Sequence, residues 1–183
     1  MNLRLLLQEM KLYNYVGSNE IRLSVINYPS GTIIKSILDL KKWLKDILFK
    51  NDNSKKNDNS KSVVATFVID MDQNLRLADR YSEHIACAGG QPVLSAGEIF
   101  INWEQNIYEV SDITNQSTGY CPEIESWKYV EATLNKLPIE HPSSFTLEFT
   151  FRRCCSCSQI NIIKNDVFVC SVCDSNLSDT WNF

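Results

Sequence analysis

The chain has 183 residues, a net charge of −4, 44% hydrophobic and 22% charged residues, ordinary values for one folded domain with an appendage or two small domains. No apolar run is long enough to cross a bilayer, and the amino-terminal MNLRLLLQEMKLYNY has neither the basic leader nor the small-residue cleavage site of a secretory signal. These features argue against a membrane-spanning or secreted class, so a cytoplasmic protein with reduced cysteines is expected.

Charge is unevenly spread. Residues 1–62 carry eleven Lys and Arg against six Asp and Glu, whereas the remainder carries seven against sixteen. The excess lysines fall on one expected helix face and in a linker, where solvated lysines belong. Neither a membrane surface nor nucleic acid is therefore the expected partner.

Residues 1–28 read as two strands. Leu3 to Tyr13 has mixed periodicity, while Ile21-Arg22-Leu23-Ser24-Val25-Ile26 alternates apolar with polar. Tyr28-Pro29-Ser30-Gly31 then breaks the chain. From Thr32 to Phe49, Ile34, Ile37, Leu38, Leu44, Ile47 and Leu48 recur at helical spacing with Lys35, Lys41, Lys42, Lys45 and Asp46 between them, predicting an amphipathic helix. The tandem KNDNSK repeat of residues 50–61 cannot bury a core. It is expected to be a disordered linker (50–62) between an amino-terminal strand-helix unit (1–49) and an α+β sheet domain (63–150).

Residues 63–114 predict a β-meander: a strand at Val63–Ile69, a turn at Asp70-Met71-Asp72-Gln73-Asn74, and further strands at Leu75–Ala78, Val93–Ile101 and Ile107–Ile113. The Asp70-x-Asp72-x-Asn74 spacing imitates the start of a calcium loop. It lacks the turn glycine, and Tyr81 stands where the distal Glu belongs, so a hairpin turn is expected. Ser126 is the predicted cap of a helix from Trp127 to Leu137, and Phe145–Phe151 alternates as a strand. Trp103, Trp127, Phe149 and Phe168 are expected on buried faces, since base stacking would need basic residues interleaved with the rings.

Between these elements lies polar text. His84 and Cys87 are three apart, with Glu83, Glu98, Ser117 and Tyr120 as possible neighbours, and a Cys-His pair can generate a thiolate nucleophile. An enzyme site of His84, Cys87 and Glu98 is thus the alternative function. The plainer reading is a small buried Cys87 beside an ordinary polar His84. Gly89-Gly90 lacks the third glycine and helix of a dinucleotide site. Cys121 reads as a packed thiol and His141 as a turn residue.

The end of the chain is the most specific segment. Cys154/Cys157 and Cys170/Cys173 each enclose two residues, and twelve residues separate the pairs. Two Cys-x-x-Cys turns brought together by a hairpin complete a four-sulfur site. Ile160, Ile162 and Ile163 form one β-branched run, Val167-Phe168-Val169 the other, and Lys164-Asn165-Asp166 the turn. Cys155 is expected to be a bystander, because one residue between Cys155 and Cys157 is too tight for a knuckle. Four cysteines leave no position open for water, so the expected metal role is structural, with zinc and iron both suited to four thiolates.

This knuckle-hairpin-knuckle arrangement over residues 151–183 resembles the zinc ribbon family, which implies a structural Zn2+ held by Cys154, Cys157, Cys170 and Cys173. The phrases SEHIACAGGQPVLSAGE, NQSTGYCPEIESW and TWNF resemble uncharacterised bacterial proteins over most of residues 65–183. Ala96-Gly97-Glu98 with Asn115-x-Ser117-x-x-Tyr120-x-Pro122 is similar to a pattern of bacterial toxin-associated modules, although Gly119 stands where that pattern has histidine. The resemblance implies a shared fold more than a shared activity. The expectation is an α+β protein with an antiparallel sheet, packed helices and a carboxy-terminal zinc ribbon, acting as a non-catalytic interaction module with a protein partner.

Overall fold

A computed structural model describes residues 10–26, 28–51 and 62–183. Residues 52–61 of the expected linker, and 3–9 of the expected first strand, lie outside the described residues. The architecture is α+β. Its elements are α1 (Asn19–Val25), β1 (Thr32–Ile34), α2 (Ile37–Asn51), β2 (Ser62–Ile69), β3 (Leu75–Asp79), α3 (His84–Cys87), β4 (Ser95–Glu104), β5 (Ile107–Ile113), α4 (Trp127–Leu134), β6 (Thr150–Arg153) and β7 (Ile160–Ile163).

Strands β1 to β5 form one antiparallel sheet in the order β1-β3-β2-β4-β5. This corrects the meander. A meander would place β4 beside β3, but β1 occupies that edge of β3, and β4 pairs instead along the whole of β2, from Ser62↔Asn102 to Ile69↔Ser95. The β3–β4 connection therefore crosses one face of β2, carrying α3 with it. The Asp70 turn closes the first hairpin as expected: Asp70 Oδ1 accepts from the backbone N–H of Asp72 and Asn74 at 3.0 and 2.9 Å, and Gln73 adopts φ 57°. Arg76 Nε donates to Asp70 Oδ2 at 2.9 Å, leaving the carboxylate fully occupied by its own turn.

The alternation of β2 sorts the two faces. Ala65, Phe67 and Ile69 enter one core with Leu75, Leu77, Ile99 and Ile101, whereas Val68 enters another with Ala78, Ile85, Cys87, Ala96 and Tyr120. Helices α2 and α4 cover the first face through Leu40, Trp43, Leu44 and Ile47, and through Tyr129, Val130 and Leu134. Helix α3 and the loops around it cover the second.

Several expectations change at the amino-terminal end. Residues 19–25 are helix rather than strand, because Ser18 Oγ accepts from Glu20 N at 3.2 Å and caps the turn, while Ile21 and Leu23 stay exposed with no strand beside them. Residues 32–34 are a three-residue strand rather than the first helical turn, drawn into the sheet by β3. Helix α2 starts later, with Ser36 Oγ accepting from Asp39 N and Asp39 Oδ2 accepting from Ser36 Oγ and Lys35 N. Its apolar stripe is rotated: Leu38 is 71% exposed, while Leu40 and Trp43, absent from the predicted stripe, are buried.

Ser126 stands at the N-cap position of α4, as expected, but its side chain makes no capping hydrogen bond. Its hydroxyl meets Ser95 Oγ at 3.0 Å in the interior, and a short 3-10 turn, Ile124–Ser126, precedes the helix, which ends at Leu134 rather than Leu137. Of the predicted 145–151 strand only Thr150 and Phe151 are regular, as the start of β6. Leu147 makes a single bridge to Thr114 instead. Trp103, Trp127, Phe149 and Phe168 are half-buried rather than buried.

Trp43→Ala should destabilise the fold by about 3–5 kcal/mol by leaving a cavity under α2. Leu38→Ala, on the same helix, should cost no more than about 0.5 kcal/mol. Denaturant unfolding of the two variants measures both.

Candidate metal centre

The carboxy-terminal segment folds as two near-identical turns. Ser158 N donates to Cys154 O at 2.9 Å and Asp174 N to Cys170 O at 3.1 Å, while Cys154 N and Cys170 N each donate 2.9 Å to a carbonyl, of Gln159 and Ser175 respectively. Ser158 and Asp174 follow the second cysteine of each turn with φ 64° and 56°, the left-handed conformation that reverses the chain and aims both thiols the same way. Between the turns, β7 pairs with β6, from Thr150↔Ile163 to Arg153↔Ile160. The predicted hairpin to Val167-Phe168-Val169 survives as one bridge, Lys164↔Val167, across an Asn165-Asp166 turn in which both residues have positive φ. The longer pairing goes to the strand before the first knuckle, because Phe151 is anchored in the interior while Val167 and Val169 stay exposed.

This topology brings Cys154, Cys157, Cys170 and Cys173 together, their sulfurs all within 4.8 Å of one another. Cys154 Sγ lies 3.5 Å from Cys173 Sγ, and Cys157 Sγ 3.6 Å from Cys170 Sγ. Four sulfurs placed tetrahedrally about 2.3 Å from a zinc ion lie about 3.8 Å apart, close to the spacing of these two pairs, so the donor set could hold a four-coordinate ion. Cys154 and Cys170 are buried; Cys157 and Cys173 face outward.

The thiols do not titrate alike. The N–H of Val172, and then that of Cys173, pull Cys170 down to about 6, and Ser175 lowers Cys173. The Gln159 N–H pulls on Cys157 too, but the neighbouring Cys173, Cys170 and Cys154 sulfurs push it up to about 12. Four thiolates this close repel, and a divalent cation among them removes the conflict. Cys155 is exposed and outside the tetrad, as expected.

Few apolar groups hold this segment together: its cluster buries only Cys154, Cys170 and Leu177, with Ile163 and Phe168 partly buried against them. Two external tethers and one pairing within the segment do the rest. The buried Asn115 amide donates to Pro122 O and Phe149 O at 2.9 and 2.8 Å and accepts from Phe149 N at 2.7 Å, clamping the chain just before β6 to the end of the sheet. Asn182 donates to Arg153 O at 2.7 Å and accepts from Arg153 N at 2.8 Å, so the tail returns along β6. Trp181 Nε1 donates to Cys121 O at 2.9 Å, and its ring meets Tyr13 edge-on at 5.6 Å with Lys11 Nζ 3.9 Å from the ring centroid. Cys121 is thus a packed thiol, pushed up to about 12 by burial. His141 sits in its turn, its ring nitrogens bonded to Pro142 O and Asn135 Oδ1.

Of the His84, Cys87 and Glu98 trio, His84 and Cys87 bond to the two strands that flank β2. Burial pushes the Cys87 thiol up to about 12, and it donates to Arg76 O on β3, on one side of β2. His84 Nε2 bonds Gly97 O at 3.0 Å on β4, on the other side. His84 and Glu98 do share a cavity of about 250 Å³ with Thr66, Arg80, Glu83, Gln116 and Thr118, residues that spacing alone did not unite. Ser117 is buried with its hydroxyl unpaired among the described residues, and Tyr120 donates to Gln91 O at 2.7 Å.

The Ala96-Gly97-Glu98 motif has a steric basis: a Cβ on Gly97 would lie 1.9 Å from Thr114 O. Only glycine lets the 114–118 loop cross β4 this closely, which sets that loop beside α3. Compared with family models, curated proteins and solved structures, the chain matches none.

Burial holds His84 below its ordinary pKa, against opposing pulls from its Gly97 hydrogen bond and from Glu83 and Glu98. Because the folded state resists the proton that the unfolded chain accepts near pH 6.5, stability should fall as pH drops below that value. Comparing the pH dependence of unfolding for wild type and His84→Gln isolates this contribution, which the variant should lack.

Proposed function

We propose that this protein is a cytoplasmic, non-catalytic interaction module whose carboxy-terminal segment is a zinc ribbon. The observation that carries the reading is the four-sulfur tetrad itself, which would occupy every position of a tetrahedral zinc and leave none for substrate or water. Zinc binding would contribute on the order of 10 kcal/mol to a segment with three buried groups, a structural role.

The recognition surface we assign is the pair of loops Ser82–Gln91 and Asn115–Glu123, which line one cavity on the α3 face. Beside them Tyr81 is 85% exposed and Tyr28 79% exposed, and exposed tyrosines are the groups that anchor protein interfaces. The Ala96-Gly97-Glu98 and Asn115-to-Pro122 pattern suggests a bacterial defence or toxin system as the setting.

Elemental analysis of purified protein should find one zinc per chain, lost in the Cys170→Ser/Cys173→Ser variant along with the ordered environment of Trp181 seen by fluorescence. Iron, no metal, or metal retained in the variant would overturn the zinc assignment. For the surface, a partner captured by wild type should be lost from Tyr81→Ala and kept by Val172→Ala, an exposed change on the ribbon; the reverse pattern would place the interface elsewhere.

A further inference from the structure

The cavity between β2, β4, α3 and the 114–118 loop has a defined chemistry. Thr66 and Glu98 are direct cross-strand partners on the same face, so the Glu98 carboxylate stands over the cavity floor. Thr66 Oγ1 donates to Ser82 O at 3.1 Å, which pins the loop carrying Glu83 and His84 over this floor. Across from it, Thr114 Oγ1 accepts from Glu98 N and Gln116 N, fixing the opposite wall.

The His84 ring completes the set. Its Nε2 faces the Gly97 carbonyl, which only accepts, so that nitrogen carries the hydrogen of a neutral ring and Nδ1 presents a lone pair. Among the described residues, Nδ1 has no hydrogen-bond partner. Glu83, Glu98 and His84 thus line one cavity, and each carries an acceptor atom. The only fixed positive charge in the lining is Arg80, whose guanidinium lies 5.3 Å from the exposed Tyr81 ring at the mouth.

A bare metal ion does not suit this arrangement. Among the described residues only the cysteine tetrad has donor atoms close enough for a single ion. An ammonium gathers its acceptors about one point in much the same way. A guanidinium carries five N–H donors on a rigid planar fork and spans acceptors set farther apart. The cavity of about 250 Å³ has room for an arginine-sized side chain or a small free guanidine.

We propose that this cavity is a binding site for a guanidinium group, held by Glu98 and Glu83 with His84 Nδ1 as a third acceptor. The inference is independent of the zinc ribbon but rests on the proposed interaction surface, whose two loops line this same cavity; the pocket would take a guanidinium whether a small molecule or a partner's arginine supplied it.

The test is titration of the full chain, followed by backbone amide NMR, with methylguanidinium below denaturing concentrations and with its neutral isostere N-methylurea. Methylguanidinium should move the signals of Glu83, His84, Glu98 and Thr118, and N-methylurea should not. Glu98→Gln should weaken binding by about tenfold or more, the loss of one charge-assisted contact. Glu83→Gln, on an exposed residue, supplies the same reading should Glu98→Gln fail to fold. Tighter binding of Nα-acetyl-arginine methylamide than of agmatine would assign the source to a peptide, and the reverse order to a free amine; either supports the site. No shifts at these four residues, an equal response to N-methylurea, or undiminished binding in the folded Glu→Gln variants would overturn it.

Discussion

The burial of β2 on both faces is the constraint on which the other elements depend. Ala65, Phe67, Val68 and Ile69 have no exposed surface, so the sheet needs a helical layer on each side and a neighbouring strand on each edge. With β1 already paired to β3, the chain leaving β3 has to return over β2 to reach its free edge. That crossing carries α3, and with it His84 and Glu83, onto the face where Thr66 and Glu98 project. The cavity is a by-product of strand order rather than of any local motif.

The carboxy-terminal segment follows a different logic. It is too small to bury a core, and its order rests on converging thiols, on the Asn182 pairing that closes the segment on itself, and on two attachments to the rest of the fold: the Asn115 clamp and the Trp181 anchor. Both attachments use backbone groups, so the segment is oriented as well as held. Trp181 in turn packs on Tyr13, whose backbone pairs with Val93, linking both ends of the described chain to the second face.

The sequence was most legible where the relevant physics is local. The spacing of Cys154, Cys157, Cys170 and Cys173 identified the tetrad because two ligands three positions apart converge through one turn, whatever the rest of the chain does. The Asp70 turn and the β2 and β5 strands were readable for the same reason. Helix α1 was misread because Ile21 to Ile26 alternates as a strand would, and the alternation concealed the Ser18 cap. The stripe of α2 was misplaced because Leu38 and Leu48 match the helical period but fall on the solvent side once Trp43 and Leu40 turn to the sheet.

By itself, then, the sequence determined the α+β class, the antiparallel pairing of the hairpins and the identity of the clustered cysteines, since each follows from contacts between residues near one another in the chain. Tertiary structure decided the order of the strands, the separation of Cys87 from His84, and the meeting of Thr66, Glu83, His84, Glu98 and Thr118 around one cavity. Those residues come from four segments whose proximity is fixed by which edge of β2 remained free and by how closely the chain could pass over Gly97. No pattern read along the chain encodes that choice, because it is made by competition for a shared edge and by the space between backbones.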